Sequence, residues 1–190
     1  EYYITDVIEI MLSEGEKVGA YVTDLEQTMG VNDKLQLSQV GKILNRRKVE
    51  ALMLAGVTII DPDKVQVTTN VKVGRDTVLY PGTVLEGDSV IGENCVIGSN
   101  TSLNNCKVGN NTKILETVGI DSEIGSDTNV GPFAYLRPGT KVGSEVKIGD
   151  FVEVKNSTID DGTKVAHLTY IGDADVGKRV NFGLSLIHIS

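Results

Sequence analysis

Apolar residues recur at every sixth position along the larger part of the chain. Val67, Val73, Leu79, Leu85, Ile91, Ile97 and Leu103 keep this spacing, and one residue is then dropped before Val108, Ile114 and Ile120. A shortened step leads to Ile124, Val130, Leu136, Val142, Ile148 and Val154. Two further one-residue slips give Ile159, Val165 and Ile171, then Val176 and Phe182. The positions between are mostly polar, and glycine often follows the apolar slot, as at Gly74, Gly92, Gly125 and Gly149. A period of six matches neither the 3.6-residue helix nor a continuous alternating strand. It predicts a short strand and then a corner, with one aliphatic side chain per hexad pointing inward and glycine where the sharp turn excludes a Cβ. Stacked coils of this kind bury a continuous apolar column while their backbones pair as parallel strands. The expected fold is therefore a parallel β-helix of roughly six coils, three hexads to a coil. The general rule for parallel crossovers favours a right-handed path, and spacing alone does not overrule it.

A different pattern precedes the repeats. Residues 1–14 carry Ile4, Val7, Ile8, Ile10 and Met11 on a helical period. Residues 17–23 are rich in β-formers, broken by Gly19, and predict a strand, whereas 24–33 are loop-like. From 34 to 55 the spacing of Leu35, Val40, Ile43, Leu44, Val49, Leu52 and Met53 predicts an amphipathic helix with Arg46, Arg47 and Lys48 on its solvated side and Gly56 as its stop. Residues 57–60 predict a strand ended by the Asp61-Pro62 turn, so the chain divides near residue 61. The first part has α/β texture but is too small for a doubly wound domain and reads as the tail of something larger. With no methionine before Glu1, the whole reads as an internal fragment. At the far end, residues 184–190 (LSLIHIS) drop the period and read as a truncation or a non-native tail.

Charge narrows the partners. A net charge of −8 argues against non-specific nucleic-acid binding, which rests on neutralising phosphates. The two cysteines, Cys95 and Cys106, lie in different hexads without metal-ligand spacing and predict small buried residues in a reducing compartment. Neither a signal-like opening nor an apolar run of spanning length is present, which predicts a soluble, cytoplasmic protein with no membrane partner.

Inward slots are structural, so chemistry is sought where reactive residues interrupt or flank the pattern. Residues 131–140 (GPFAYLRPGT) hold Arg137, 150–156 (DFVEVKN) hold Glu153 and Lys155, and 166–173 (AHLTYIGD) hold His167 and Tyr170. About one coil separates each from the next, so stacking brings them near one another. They suit acyl transfer to an amine on an anionic substrate: histidine takes the proton that the amine loses, and arginine and lysine hold a phosphate. On residue types alone, a packed or surface histidine among ordinary surface cations competes with that reading. A zinc hydratase needs about three histidine ligands around one metal, and only His167 and His188 exist.

Longer phrases carry a resemblance. EYYITD at the start, GVNDKLQLS (30–38), LMLAGVTIIDPD (52–63), GPFAYLRPGT, FVEVKN and AHLTYIGDADVG together resemble one bacterial family over residues 1–183. It is the family of bifunctional N-acetylglucosamine-1-phosphate uridyltransferase and glucosamine-1-phosphate N-acetyltransferase enzymes, which make UDP-N-acetylglucosamine. The resemblance implies that 1–33 end a uridyltransferase domain, that 34–61 form a linker helix and strand, and that 62–183 form a left-handed β-helix that assembles as a homotrimer. It implies His167 as general base, Arg137 and Lys155 as ligands of the sugar phosphate, and Tyr170 and Asn181 as further substrate contacts. Asn32, in the GVN phrase, would bind magnesium and the nucleotide sugar. The implied substrates are glucosamine 1-phosphate and acetyl-coenzyme A (acetyl-CoA) for one half, UTP and N-acetylglucosamine 1-phosphate for the other. Beyond the hexad of Asn181, the family's acetyl-CoA-contacting alanine is replaced by Leu184. Other readings are a hexapeptide-repeat acyltransferase acting on serine or a lipid precursor, a sugar-nucleotide pyrophosphorylase with a structural β-helix, and a trimerisation scaffold.

Overall fold

A computed structural model describes residues 3–183, and the chain divides into two compact units between Val40 and Gly41. The tail expected at 184–190 lies outside the described residues. In the first unit the short helix forms as α1 (Asp6–Ser13), whose apolar side chains Val7, Ile8, Ile10 and Met11 all remain exposed. The strand expected at 17–23 does not form. β propensity supplies no pairing partner, and here Val18, Tyr21 and Val22 lie exposed in irregular chain.

Helix α2 (Lys34–Leu54) runs across the division and closely matches its expected span. Asp33 caps it, its Oδ1 accepting the Gln36 N–H at 2.7 Å, while Gln36 Oε1 accepts the Asn32 N–H at 2.6 Å. At the other end Gly56 adopts φ +98°, the Val57 N–H returns to the Leu52 carbonyl and the Gly56 N–H to that of Met53. This paired closure satisfies the last carbonyls and stops the helix. Within the second unit the helix buries Val49 and Leu52. The Asn45 amide clasps the first turn of the repeats, donating to the Val65 carbonyl (2.8 Å) and accepting the Val67 N–H (2.9 Å).

The repeats form three parallel sheets. Face one has eight strands, from Thr58–Ile59 to Asn181–Phe182; face two has seven, from Gln66–Val67 to Tyr170–Gly172; face three has seven, from Lys72–Val73 to Asp175–Val176. Successive strands visit the faces in rotation, so seven complete turns are wound rather than the expected six. The winding also begins earlier, because Thr58–Ile59, assigned from sequence to the linker, already pairs with Val78–Leu79. It is left-handed. The right-handed preference of parallel crossovers arises when a twisted strand feeds a helix, and here the crossovers are short strands joined by corners.

Two details depart from the pattern read off the sequence. The inward slot on face two after Ile114 is Gly119, which pairs with Leu103 and Leu136, while Ile120 turns outward opposite Asn104. A Cβ at Gly119 would lie 2.8 Å from Leu103 Cδ2 and 3.2 Å from Cys106 Sγ, so the neighbouring turn already fills its space. Most hexads also bury a second, smaller residue two positions before the slot, as at Thr77, Thr83, Ser89, Cys95, Thr101 and Cys106. Their hydroxyls and thiols bond between turns. Thr128 Oγ1 donates to the Gly143 carbonyl (3.0 Å) and accepts the Val146 N–H (3.2 Å), and Cys95 Sγ donates to the Gly109 carbonyl (3.1 Å). Burial pushes both cysteine thiols up from their ordinary pKa.

The glycines that follow the slots also have another cause. Gly125 has an ordinary φ, but a Cβ there would lie 2.5 Å from the Gly143 backbone of the next turn, so close stacking selects it. Left-handed backbone instead falls in three columns at the corners. One runs Gly82, Asn100, Glu116, Phe133, Phe151 and Leu168; the second includes Asn105, Asp121, Asn156 and Asp173; the third includes Asn94, Asn111, Asp127 and Arg179. Asparagine and aspartate tolerate this conformation because their side chains bond locally, here also from turn to turn, as in Asn156 Nδ2 to Asp173 Oδ1 at 2.8 Å.

Candidate active site

Alternation fixes which side chains face outward on face two. Leu136, Val154 and Ile171 are buried, so Tyr135, Glu153 and Tyr170 form an outward column, one per turn, in register with one another. Arg137 follows Leu136 and also points outward, its guanidinium carbon 5.9 Å from the Tyr135 ring centre. It donates from Nη1 to Glu153 Oε1 at 2.8 Å, a bond that raises the arginine's pKa further. Lys155 ends its strand opposite Gly172, with Nζ 3.5 Å from Asp173 Oδ2. The Asp173 carboxyl is held below the usual range, first by the Asn156 amide and then by the Lys155 charge. The ring of Tyr170 lies across Gly172, where a Cβ would meet its Cζ at 2.6 Å.

His167 ends the strand Lys164–His167 on face one, beside the corner that leads to face two. Its register partner in the preceding turn is Asp150, and Nδ1 lies 3.4 Å from Asp150 Oδ1. The imidazole is half exposed. The corner itself carries an exposed apolar ladder of Phe133, Phe151 and Leu168, the two rings stacked with centres 5.3 Å apart. Arg137, Glu153, Lys155, Tyr170, Asp150 and His167 thus share three consecutive turns and two adjoining faces.

Two expected site residues stand apart from that group. Asn181 lies on face one opposite Lys164, so it is displaced from the rung position of His167 by three residues, roughly 10 Å along a strand. Asn32 is exposed in the first unit, its backbone committed to the α2 cap. No cluster of three or more His, Cys, Asp or Glu suited to a metal occurs among the described residues. One amide oxygen does not make the octahedral oxygen shell that magnesium requires, so the described residues do not by themselves fit the ion. No helix among the described residues is long and apolar enough to cross a membrane.

Sequence reading named Glu153 without its pairing to Arg137 and passed over Asp150. Asp150 and Glu153 lie within phrases already singled out, and their positions one turn before His167 and one turn after Tyr135 were available from the repeat length. The structure shows that Arg137 and Lys155 are each already neutralised by a carboxylate. Any anion approaching Arg137 would have to compete with Glu153 for the guanidinium.

The chain is similar in sequence to known proteins. A model of the bacterial transferase hexapeptide (six repeats) matches residues 70–105 and 121–156. The bifunctional protein GlmU of Clostridium botulinum is 47% identical over 190 residues, covering 100% of this chain and 42% of the relative. GlmU of Acetivibrio thermocellus is 48% identical and that of Clostridium perfringens 51%, again over the whole chain. Over its whole length the chain matches part of the GlmU proteins. It spans about 42% of the length of those relatives. Among solved structures, a UDP-N-acetylglucosamine O-acyltransferase (LpxA) from Moraxella catarrhalis aligns over 66% of each chain with 18% identity and a TM-score of 0.42. The acetyltransferase domain of PglB from Neisseria gonorrhoeae, solved with acetyl coenzyme A, aligns over 65% of this chain and 64% of that one with 18% identity and a TM-score of 0.36.

Proposed function

We propose that the β-helix is the acetyl-transfer half of a bifunctional GlmU-type enzyme, moving an acetyl group from acetyl-CoA to the amine of glucosamine 1-phosphate. The observation that carries this reading is the convergence of His167, Arg137, Lys155 and Tyr170 on one edge of three consecutive turns. The phosphate of the acceptor draws Arg137 from Glu153 and engages Lys155, because a dianion in bidentate contact outcompetes a single carboxylate. The amine nitrogen attacks the thioester carbonyl carbon, a C–N bond forms, the C–S bond breaks, and coenzyme A leaves as the thiolate. His167 Nε2 accepts the proton lost by the amine and delivers it to the leaving sulfur. Tyr170 and Asn181 orient the sugar.

On this reading the exposed Phe133, Phe151 and Leu168 ladder is covered by a neighbouring copy in a homotrimer, and the protein works in the cytoplasm. Residues 1–33 end a uridyltransferase domain that joins UTP to N-acetylglucosamine 1-phosphate, and Asn32 supplies one ligand of its magnesium. Residues 34–61 link the halves. The neutralised state of Arg137 and Lys155 favours a second reading, a structural β-helix with no chemistry of its own.

Thiol release from acetyl-CoA, with glucosamine 1-phosphate as acceptor, separates the two in the complete protein. His167→Ala is expected to lower turnover by roughly 100-fold to 10,000-fold without changing the sedimentation coefficient. Unchanged turnover removes the acyl-transfer reading. Asn32→Ala is expected to spare acetyl transfer while impairing uridylyl transfer.

A further inference from the structure

The strand pair that carries His167 is longer than its neighbours. Most strands of the β-helix span two or three residues, whereas Lys147–Asp150 and Lys164–His167 span four, and the added length places Asp150 against His167 at the corner. The backbone on both sides is tied down. The Leu168 N–H donates to the Asp150 carbonyl at 3.1 Å, and Thr169 Oγ1 donates to the His167 carbonyl. Behind them Gly149 leaves room for the Ala166 carbonyl, which would overlap any Cβ there. The backbone of both residues therefore has a fixed place, and Asp150 Oδ1 lies 3.4 Å from Nδ1.

A neutral imidazole holds one N–H and one lone pair, and the partner of one nitrogen decides which role the other plays. We propose that Asp150 is a positioning residue that holds His167 in the tautomer protonated at Nδ1, leaving the Nε2 lone pair to act as the base. This rests on the reading of His167 as the proton acceptor. Among the described residues, Asp150 is the only acid in ion-pair range of the ring. On the same two strands Lys147 and Lys164 stand three residues back, and Glu153 is engaged by Arg137. Once the ring takes the amine proton, the same carboxylate is its counter-charge, and it gives the proton no second destination because Nδ1 is already occupied.

The test reads the tautomer first, which needs no catalysis. Two-bond nitrogen–proton NMR on uniformly 15N-labelled chain, at a pH where His167 is neutral, is expected to show Nδ1 as the protonated nitrogen. In Asp150→Ala and in the near-isosteric Asp150→Asn, the population is expected to move toward the Nε2-protonated form that free imidazole side chains prefer. An Nε2-protonated ring in the parent chain, or a tautomer ratio indifferent to both substitutions, overturns the proposal. In the complete protein, Asp150→Ala is expected to lower kcat by roughly 10-fold or more, with KM for the sugar phosphate within about twofold. A shifted tautomer with unchanged kcat assigns Asp150 no part in the chemistry and also overturns the proposal. If the parent shows no acetyl transfer at all, the NMR result still decides the His167–Asp150 relation, and only the proposed reaction is lost.

Discussion

Two buried threonines show what a single hydroxyl contributes to this core. Thr128 Oγ1 is both donor and acceptor between turns, whereas Thr101 Oγ1 is buried with no partner among the described residues. Thr128→Val is therefore expected to destabilise the chain by about 1–2 kcal/mol, and Thr101→Val to leave it unchanged or more stable, measured by denaturant midpoints. A larger cost for Thr101→Val would mean that its hydroxyl is satisfied in solution. The glycines divide in the same way. Gly149→Ala places a methyl against the Ala166 carbonyl, and a loss of about 3 kcal/mol is expected, whereas a Cβ at Gly177 meets nothing within 4 Å and Gly177→Ala is expected to be neutral. These distinctions were not legible in the sequence. The hexad pattern shows that a position is small, but whether the cause is close backbone approach or a left-handed φ depends on the turn stacked against it. Cysteine is the instructive case, because Cys95 stands in the small-residue column of Thr77 and Thr112 on face one, and Cys106 in that of Ser89 and Ser122 on face three.

At the scale of elements, what could be read early was what local chemistry encodes. Asp33 and Gly56 mark the ends of α2 by their own side chain and backbone, and the helix stops where they place it. Gly56→Ala is expected to cost about 1 kcal/mol through its positive φ, and Asn45→Ala a further 1–3 kcal/mol or so by leaving the Val65 carbonyl and Val67 N–H unpaired. A thermal shift confined to one of the two would show which connection holds the helix to the first turn. What could not be read was anything that needs a partner. Residues 17–23 have the composition of a strand and no strand beside them. The slot at Gly119 was invisible because an apolar neighbour, Ile120, offered a better fit to the period while the true slot held no side chain. The site was half legible for the same reason: Arg137, Glu153, Lys155, His167 and Tyr170 stand out by type, but the pairing of Glu153 with Arg137 and of Asp150 with His167 appears only once the turns are stacked.

For the whole molecule, exposed charge pairs set how stability responds to pH. Lys178 lies 2.9 Å from Asp161 and 3.9 Å from Asp160, and Asp161 is pulled below the usual carboxylate range chiefly by its bond from Lys178. Asp161 and Asp173 thus contribute stability that is complete above the ordinary carboxylate pKa and is lost as pH falls through their lowered values. Lys178, raised by Asp161, contributes stability that is complete below the ordinary lysine pKa and is lost as pH rises through its raised value. The melting temperature is expected to be flat from about pH 5 to about pH 9 and to fall on both sides, with Asp161→Asn flattening part of each limb. An unchanged profile in that variant would show that solvent and salt already screen the pair. The repeating turn has one more consequence. Parallel neighbours stand about 4.8 Å apart, so the β-helix is a graduated scale on which every separation between side chains of one column is a whole number of divisions. Adding a complete turn below Phe133 lengthens the scale without moving a mark within the site. Adding one between Arg137 and Glu153 slides the upper carboxylate, lysine and histidine together by one division and parts the arginine from all of them. Length and chemistry are thus separately adjustable in this fold.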